Sequence, residues 1–227
     1  MVPARLAIVL LVACVAAAAL TGCDDDDDSS SDTTAASTTA GDSGTCAQVE
    51  APAPGEERFK RPERVLDPGE PATATVKTSC GQFRIELAAK TSPKTANSFA
   101  FLAEQGFYEG TTFHRVAPGF VIQGGDPTGK GTGGPGYTVV EPPPEQTVYR
   151  RGLVAMAKTE IEPPGASGSQ FFVVTAPADA GLPPDYAVLG KVTEGVDVVK
   201  AINDLGNPDT EQPSQTVLID EVAIQAG

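Results

Sequence analysis

The chain has no tryptophan, a single histidine (His114), two methionines and only four cysteines among its 227 residues. No cysteine stands in a CxxC pair and a lone histidine cannot make an HxxxH pair, so the ligand spacings of zinc or haem sites are missing. No metal and no cofactor is expected. Positive charge is also scarce: 16 Lys and Arg stand against 30 Asp and Glu, a net charge of −14, whereas binding to phosphate backbones requires a basic face. Nucleic acid is not an expected partner. The apolar run from Leu6 to Leu20 is 15 residues long, short of what an ordinary membrane-spanning helix needs. What the chain does have is 40% apolar residues with 24 Gly and 20 Pro, a composition that suits a loop-rich, mostly β globular domain.

The residues divide unevenly along the chain. Arg5 followed by the apolar run reads as the charged and hydrophobic regions of a secretory signal over residues 1–22. The next residues, Leu20-Thr21-Gly22-Cys23, resemble the bacterial lipoprotein signal, which implies acylation of Cys23 and an extracytoplasmic protein anchored by lipid to the bacterial cell membrane. Residues 23–67 are expected to form a disordered acidic tether. It begins with five consecutive aspartates, and from 23 to 65 it carries 11 acidic and 4 basic residues with almost no large apolar side chains to offset its ordering entropy. Such a spacer would extend about 36 Å on average. The aspartate run reads as solvated, self-repelling charge. Cys14 leaves with the signal and Cys23 carries lipid, so Cys46 and Cys80 remain. In an oxidising compartment that pair is expected to join and pin the end of the tether to the domain.

Residues 68–227 are domain-sized, with no visible repeat. Short β-branched and aromatic segments recur between Gly and Pro: 74–78, 82–87, 119–123, 152–156, 171–175, 186–192 and 216–224. They argue for a closed or nearly closed antiparallel sheet. Two segments read as helices. Ser92-Pro93-Lys94 supplies an N-cap and a proline at the first turn, with Ala96, Phe99, Leu102 and Ala103 on one face until Gly106. A second begins near Gly195, with Val196, Val199 and Ile202 on its apolar face before Gly206.

The chemistry concentrates in Phe113-His114-Arg115, Pro118-Gly119-Phe120 and Gln123-Gly124-Gly125-Asp126, followed by Met156-Ala157 and Gly168-Ser169-Gln170-Phe171-Phe172. With Pro93-Lys94-Thr95-Ala96-Asn97-Ser98-Phe99 and the Val188 to Gly195 segment, these resemble the cyclophilin family of peptidyl-prolyl cis-trans isomerases, in the expected order and over nearly the whole domain. The resemblance implies a closed antiparallel eight-stranded β-barrel capped by two α-helices, acting on proline-containing polypeptides. It implies that Phe120, Val121 and Phe172, with Leu182 as a wall, form the proline pocket. Ala157, Lys158 and Gln170 would line the adjoining peptide groove, and Tyr186 occupies a position where the family frequently has His.

The residue types suit the reaction. Rotation about an X-Pro amide is opposed by about 18–20 kcal/mol of lost resonance. A catalyst need only favour the twisted amide, whose nitrogen becomes pyramidal and a better hydrogen-bond acceptor. A guanidinium stays charged and aims several donors from a rigid fork, which selects Arg115. Gln123 lies two residues beyond Val121 and shares its face, where it can hold the substrate carbonyl or orient Arg115. Phe171 reads as core, since neighbours on a strand face opposite ways. His114 is expected in a supporting role: there is no GxSxG nucleophile elbow, and amide rotation needs no proton transfer. The 129–136 loop (GKGTGGPG) lacks GKS or GKT and reads as mobile surface beside the groove, not as a phosphate cradle. Family members that bind cyclosporin tightly often carry a Trp at the groove edge, where this chain has Ala180-Gly181, so cyclosporin sensitivity is not expected. The expected protein is a monomer that assists folding of secreted or cell-envelope chains. A proline-binding chaperone or adaptor with little turnover is the alternative.

Overall fold

A computed structural model describes residues 45–55 and 57–227; the segment read as a signal, Cys23 and the first part of the expected tether lie outside the described residues. Ten strands and two helices follow in chain order. They are β1 (Ala72–Thr78), β2 (Gly81–Leu87), α1 (Pro93–Glu104), β3 (Arg115–Ala117), β4 (Val121–Gly124), β5 (Val139–Val140), β6 (Leu153–Met156), β7 (Ala166–Ser167), β8 (Phe171–Val174), β9 (Val188–Glu194), α2 (Val196–Asp204) and β10 (Ile219–Ala226). Eight strands form one sheet in the order β10-β1-β2-β9-β6-β8-β4-β3, and β5 pairs with β7 apart from it. Every pairing is antiparallel.

The sheet curls into a half-barrel and stays open, which corrects the expected closed barrel. Its edges, β10 and β3, share no ladder; an isolated bridge, Thr112 to Leu218, and the Val116 amide donating to the Glu211 carbonyl at 2.7 Å span the gap. The segment that would have to pair with β3 carries Pro208 and Pro213, which have no amide hydrogen to give a ladder.

The concave side is the core. Phe83, Ile85, Ile122, Val154, Met156, Phe171, Val173 and Leu189 are each at most 1% exposed. Helix α1 closes one end with Ala96, Phe99 and Leu102 at 0% exposure, and edge-to-face aromatic packing of Phe99 on Phe171 at 5.6 Å adds to the burial. Pro93 starts the helix as expected. Ser92, however, is buried and makes no side-chain cap; the Glu141 carboxylate takes over, accepting the Lys94 and Thr95 amides at 3.2 and 2.8 Å. Helix α2 follows Gly195, whose φ of 72° and closeness to Phe83 leave no room for a Cβ. It buries Val198, Val199 and Ile202, while Val196, expected on the inner face, is 54% exposed. At about 3.6 residues per turn Val198, Ile202 and Val199 share one arc and Val196 falls at its edge, so the neighbour two positions on fills the core.

Residues 45–55 and 57–67, read from sequence as part of a disordered tether, lie along the domain as a strap. Cys46 is joined to Cys80 by a disulfide, and the Ala47 amide donates to the Ser79 carbonyl at 2.7 Å. Farther on, the Gly55 amide donates to the Pro127 carbonyl at 2.8 Å and the Phe59 amide to the Pro135 carbonyl at 2.7 Å. The Phe59 ring packs edge-to-face on Phe101 at 5.3 Å. Leu66 is 5% exposed, and the Asn97 side chain accepts both the Val65 and Leu66 amides at 2.9 and 3.0 Å. The composition that argued against order is offset by a covalent staple, the two apolar anchors Phe59 and Leu66 and these backbone hydrogen bonds, few of which a hydropathy pattern registers.

Candidate active site

Strands β3, β4, β8 and β6 are adjacent, and their registers place Arg115 opposite Gln123, Gln123 opposite Phe172, and Phe172 opposite Ala155. Opposite residues share a face, so these four form one row across the convex side of the sheet. Their sequence neighbours Val116, Ile122, Phe171 and Val154 point into the core, each at 0% exposure. The reading of Phe172 as groove and Phe171 as core describes this alternation.

A cavity of about 220 Å³ opens on the row. Arg115 and Gln123 line one side of it, while Phe120, Val121, Phe172 and Leu182 supply an apolar slot. Ala157, Lys158 and Tyr186 complete the wall. Gln170 is not on this cavity. It lines a larger neighbour of about 440 Å³, which shares Gln123, Ala157 and Lys158 with the first. Of the residues singled out from sequence, all but Gln170 meet at one slot, and Gln170 stands where the groove continues.

The polar side of the site is a chain of hydrogen bonds. Arg115 Nε donates to Glu211 Oε2 at 2.6 Å and Nη1 donates to Gln123 Oε1 at 3.3 Å. Gln123 Nε2 donates to Gln170 Oε1 at 3.1 Å, and Gln170 Nε2 donates to the Gly133 carbonyl at 2.9 Å. The Gly133 amide in turn donates to Asp126 Oδ2 at 3.1 Å. Asp126 is 0% exposed and also accepts the Thr128 amide, the Thr128 hydroxyl and the Lys130 amide. Burial alone would raise its pKa, but the amide bonds from Thr128 and Gly133 and the Thr128 hydroxyl outweigh that and hold it below the usual carboxylate value. The glycine loop is therefore joined to this buried carboxylate through its Lys130 and Gly133 amides.

Arg115 is fixed from one further direction. Its guanidinium carbon lies 5.9 Å from the Phe120 ring centroid, within cation–π range. The pair with Glu211 has side-chain exposures of 34% and 44%, so water screens it; its effect is to aim the guanidinium more than to stabilise the fold. The far wall is aromatic: Phe172 and Tyr186 meet edge-to-face at 5.4 Å, and Tyr149 supports Tyr186 from beneath at 6.0 Å. The Tyr149 hydroxyl donates to the Tyr186 carbonyl at 2.6 Å and accepts the Tyr186 amide at 3.0 Å. Burial pushes that hydroxyl up to about 12, so it keeps its proton for this bond. Lys158 extends over Tyr186, its ammonium 5.8 Å from the ring centroid.

His114 stands away from the slot. Both ring nitrogens are buried without a partner, and burial, the largest cause, lowers its pKa below 6.5 despite the opposing charge of Asp126. Glu211 and Tyr149 went unnoticed in the sequence because no motif marks them. Glu211 is the one non-glycine residue with positive φ among the described residues, at 54°, an observation that backbone geometry alone supplies.

The family model described as "Cyclophilin type peptidyl-prolyl cis-trans isomerase/CLD" matches residues 73–224. A Streptomyces anulatus peptidyl-prolyl cis-trans isomerase B is 40% identical over 171 residues, covering 67% of this chain and 95% of that one. An Arabidopsis thaliana peptidyl-prolyl cis-trans isomerase is 33% identical over 157 residues, 66% of this chain and 92% of that one. The crystal structure of a Cryptosporidium parvum cyclophilin type isomerase, obtained in the presence of the dipeptide Ala-Pro, superposes with a TM-score of 0.63 at 30% identity, covering 68% of this chain and 99% of that one.

Proposed function

The chain belongs to the cyclophilin-type peptidyl-prolyl cis-trans isomerases, and from that membership we propose how its own residues turn the X-Pro bond. The observation that carries the proposal is the row of Arg115, Gln123 and Phe172 on the lip of one apolar slot. The pyrrolidine ring sits among Phe120, Val121, Phe172 and Leu182 and is held while the acyl side turns. As the amide twists, conjugation is lost and the prolyl nitrogen gains a lone pair. Arg115 donates to it from a guanidinium that Glu211 and Gln123 already hold in place, so little reorganisation accompanies the step. Gln123, itself positioned by Gln170, takes the substrate carbonyl. No proton moves and no covalent bond forms.

NMR exchange spectroscopy on an Ala-Pro peptide tests this. Arg115→Ala is expected to lower turnover about 100-fold, the usual consequence of removing one transition-state donor, with a much smaller loss of peptide binding. Full activity in the variant would remove Arg115 from the mechanism. Peptide binding by the parent without turnover would mark a proline-binding adaptor instead.

The setting is part of the same reading: a monomer tethered through lipid on Cys23, acting outside the cytoplasm on secreted or cell-envelope chains. The Leu20-Thr21-Gly22-Cys23 motif supports it. So does the Cys46–Cys80 disulfide, since such bonds persist in oxidising compartments. Mass spectrometry of the membrane-extracted protein should find the chain beginning at an acylated Cys23; an unmodified or retained N-terminus would refute it.

A further inference from the structure

The strap lies outside the stretch matched by the family model, yet it reaches the substrate groove. Arg58 lines the 440 Å³ cavity that continues from the proline slot. It is held there by backbone bonds on both sides, Gly55 to Pro127 and Phe59 to Pro135. The approach is close: a Cβ on Gly136, where φ is 90°, would stand 2.9 Å from the Phe59 carbonyl oxygen and 3.2 Å from Arg58 Cβ. The covalent and apolar anchors of the strap, Cys46 and Phe59, add to this fixing.

Three charged side chains line this cavity: Arg58, Lys158 and Glu162. The Glu162 carboxylate is engaged by its own turn, accepting the Thr159 amide at 2.7 Å and the Thr159 hydroxyl at 2.8 Å. The Lys158 ammonium donates to the Thr159 and Glu162 carbonyls, both at 3.1 Å, which leaves its positive charge uncompensated by any paired carboxylate. Arg58 makes no ion pair among the described residues. The wall therefore carries two cations, Arg58 and Lys158, against the single carboxylate of Glu162, whose acceptors are already engaged, so it is net positive in a protein whose overall charge is −14.

We propose that Arg58, together with Lys158, makes this cavity a cationic subsite, so that the enzyme favours substrates with an acidic side chain two or three residues from the isomerised proline. The proposal rests on the placement of proline in the neighbouring slot. At about 3.3 Å per residue, an extended peptide leaving that slot past Gln123 and Ala157 reaches the second cavity within that distance. Arg58 acts here as a specificity determinant and takes no part in the bond rotation.

The test compares Ala-Pro peptides carrying Glu, Gln or Lys two or three residues from the proline on either side, by NMR exchange spectroscopy. At the position that reaches the cavity, kcat/KM for the Glu peptide should exceed that for the Lys peptide by about fivefold at low salt, the scale of one or two exposed ion pairs. The ratio should fall toward one at 1 M salt, where the Debye length is about 3 Å. Arg58→Ala should reduce the ratio to about twofold and Arg58→Glu should invert it. A ratio of one at every position in the parent would overturn the proposal, as would an unchanged ratio in Arg58→Ala. If none of the peptides is turned over, the placement of proline fails and the subsite with it; turnover without charge preference removes the subsite alone.

Discussion

The two faces of the half-barrel are built from the same four strands, one residue out of phase, and they do different work. On the concave face Val116, Ile122, Val154 and Phe171 are fully buried and wholly apolar. On the convex face their neighbours Arg115, Gln123, Ala155 and Phe172 form a row in which two polar side chains border an apolar slot. A one-residue slip of β4 would exchange Ile122 for Gln123 and destroy core and site together. The stability of the concave face is thus what gives the convex row its accuracy.

Substitutions at paired positions separate the two roles. Phe171→Ala is expected to have the largest effect on folding, about 3–5 kcal/mol in denaturant unfolding, because it empties a site where Phe99, Tyr108 and Phe113 all meet its ring. Phe172→Ala should cost far less stability and appear instead as a higher KM for Ala-Pro peptides. Equal losses of stability in the two would erase the distinction between the faces.

The disulfide contributes next. Cys80→Ala opens a loop with a sequence separation of 34 and should lower stability by up to about 4 kcal/mol on loop-closure entropy, read as a shifted unfolding midpoint. An unchanged midpoint would mean that the strap is held by its other bonds alone.

Within the convex row, Glu211→Gln should reduce kcat by about tenfold while leaving unfolding nearly unchanged, since it aims Arg115 through a screened pair. Arg115→Lys should not restore activity, because an ammonium cannot keep both the Glu211 and Gln123 bonds in a planar fork. Full activity in either variant would show that aiming the guanidinium is unimportant.

The smallest effect concerns pH. His114 is buried with a pKa below 6.5, so the unfolded chain binds the proton more readily than the folded one. Stability therefore holds above that value and declines as pH falls from it toward the lowered folded pKa. Thermal melts at pH 7.5 and 5.5 should show a drop in Tm that His114→Gln diminishes. An identical drop in the variant would assign the acid sensitivity elsewhere.

Much of the site was legible because its residues are close in sequence. Arg115, Phe120 and Gln123 lie on one hairpin, and period-2 alternation alone sorts Phe172 from Phe171. The seven longer strands were legible for the same local reason, within three residues at their ends. Strands β3, β5 and β7 were not, because two or three residues give no pattern. Val196 was placed inward and Val198 missed because a strict threefold spacing drifts off the face of a helix with about 3.6 residues per turn.

The remaining features are long-range. Glu211 is 96 positions from Arg115, and Tyr149 is 37 positions from the Tyr186 backbone it supports. The strap was read as tether because its composition is polar, although Phe59, Leu66 and Cys46 were visible in it. By itself, the sequence determined the family, the alternation that divides core from groove, and the chemical types at the slot, since each depends on neighbours along the chain. Only the tertiary structure decided that the sheet stays open, that Asp126 accepts the Lys130 and Gly133 amides of the glycine loop, and that a segment beyond the family domain brings Arg58 to the groove. Those outcomes depend on which distant groups find partners on burial, and a linear pattern does not encode that.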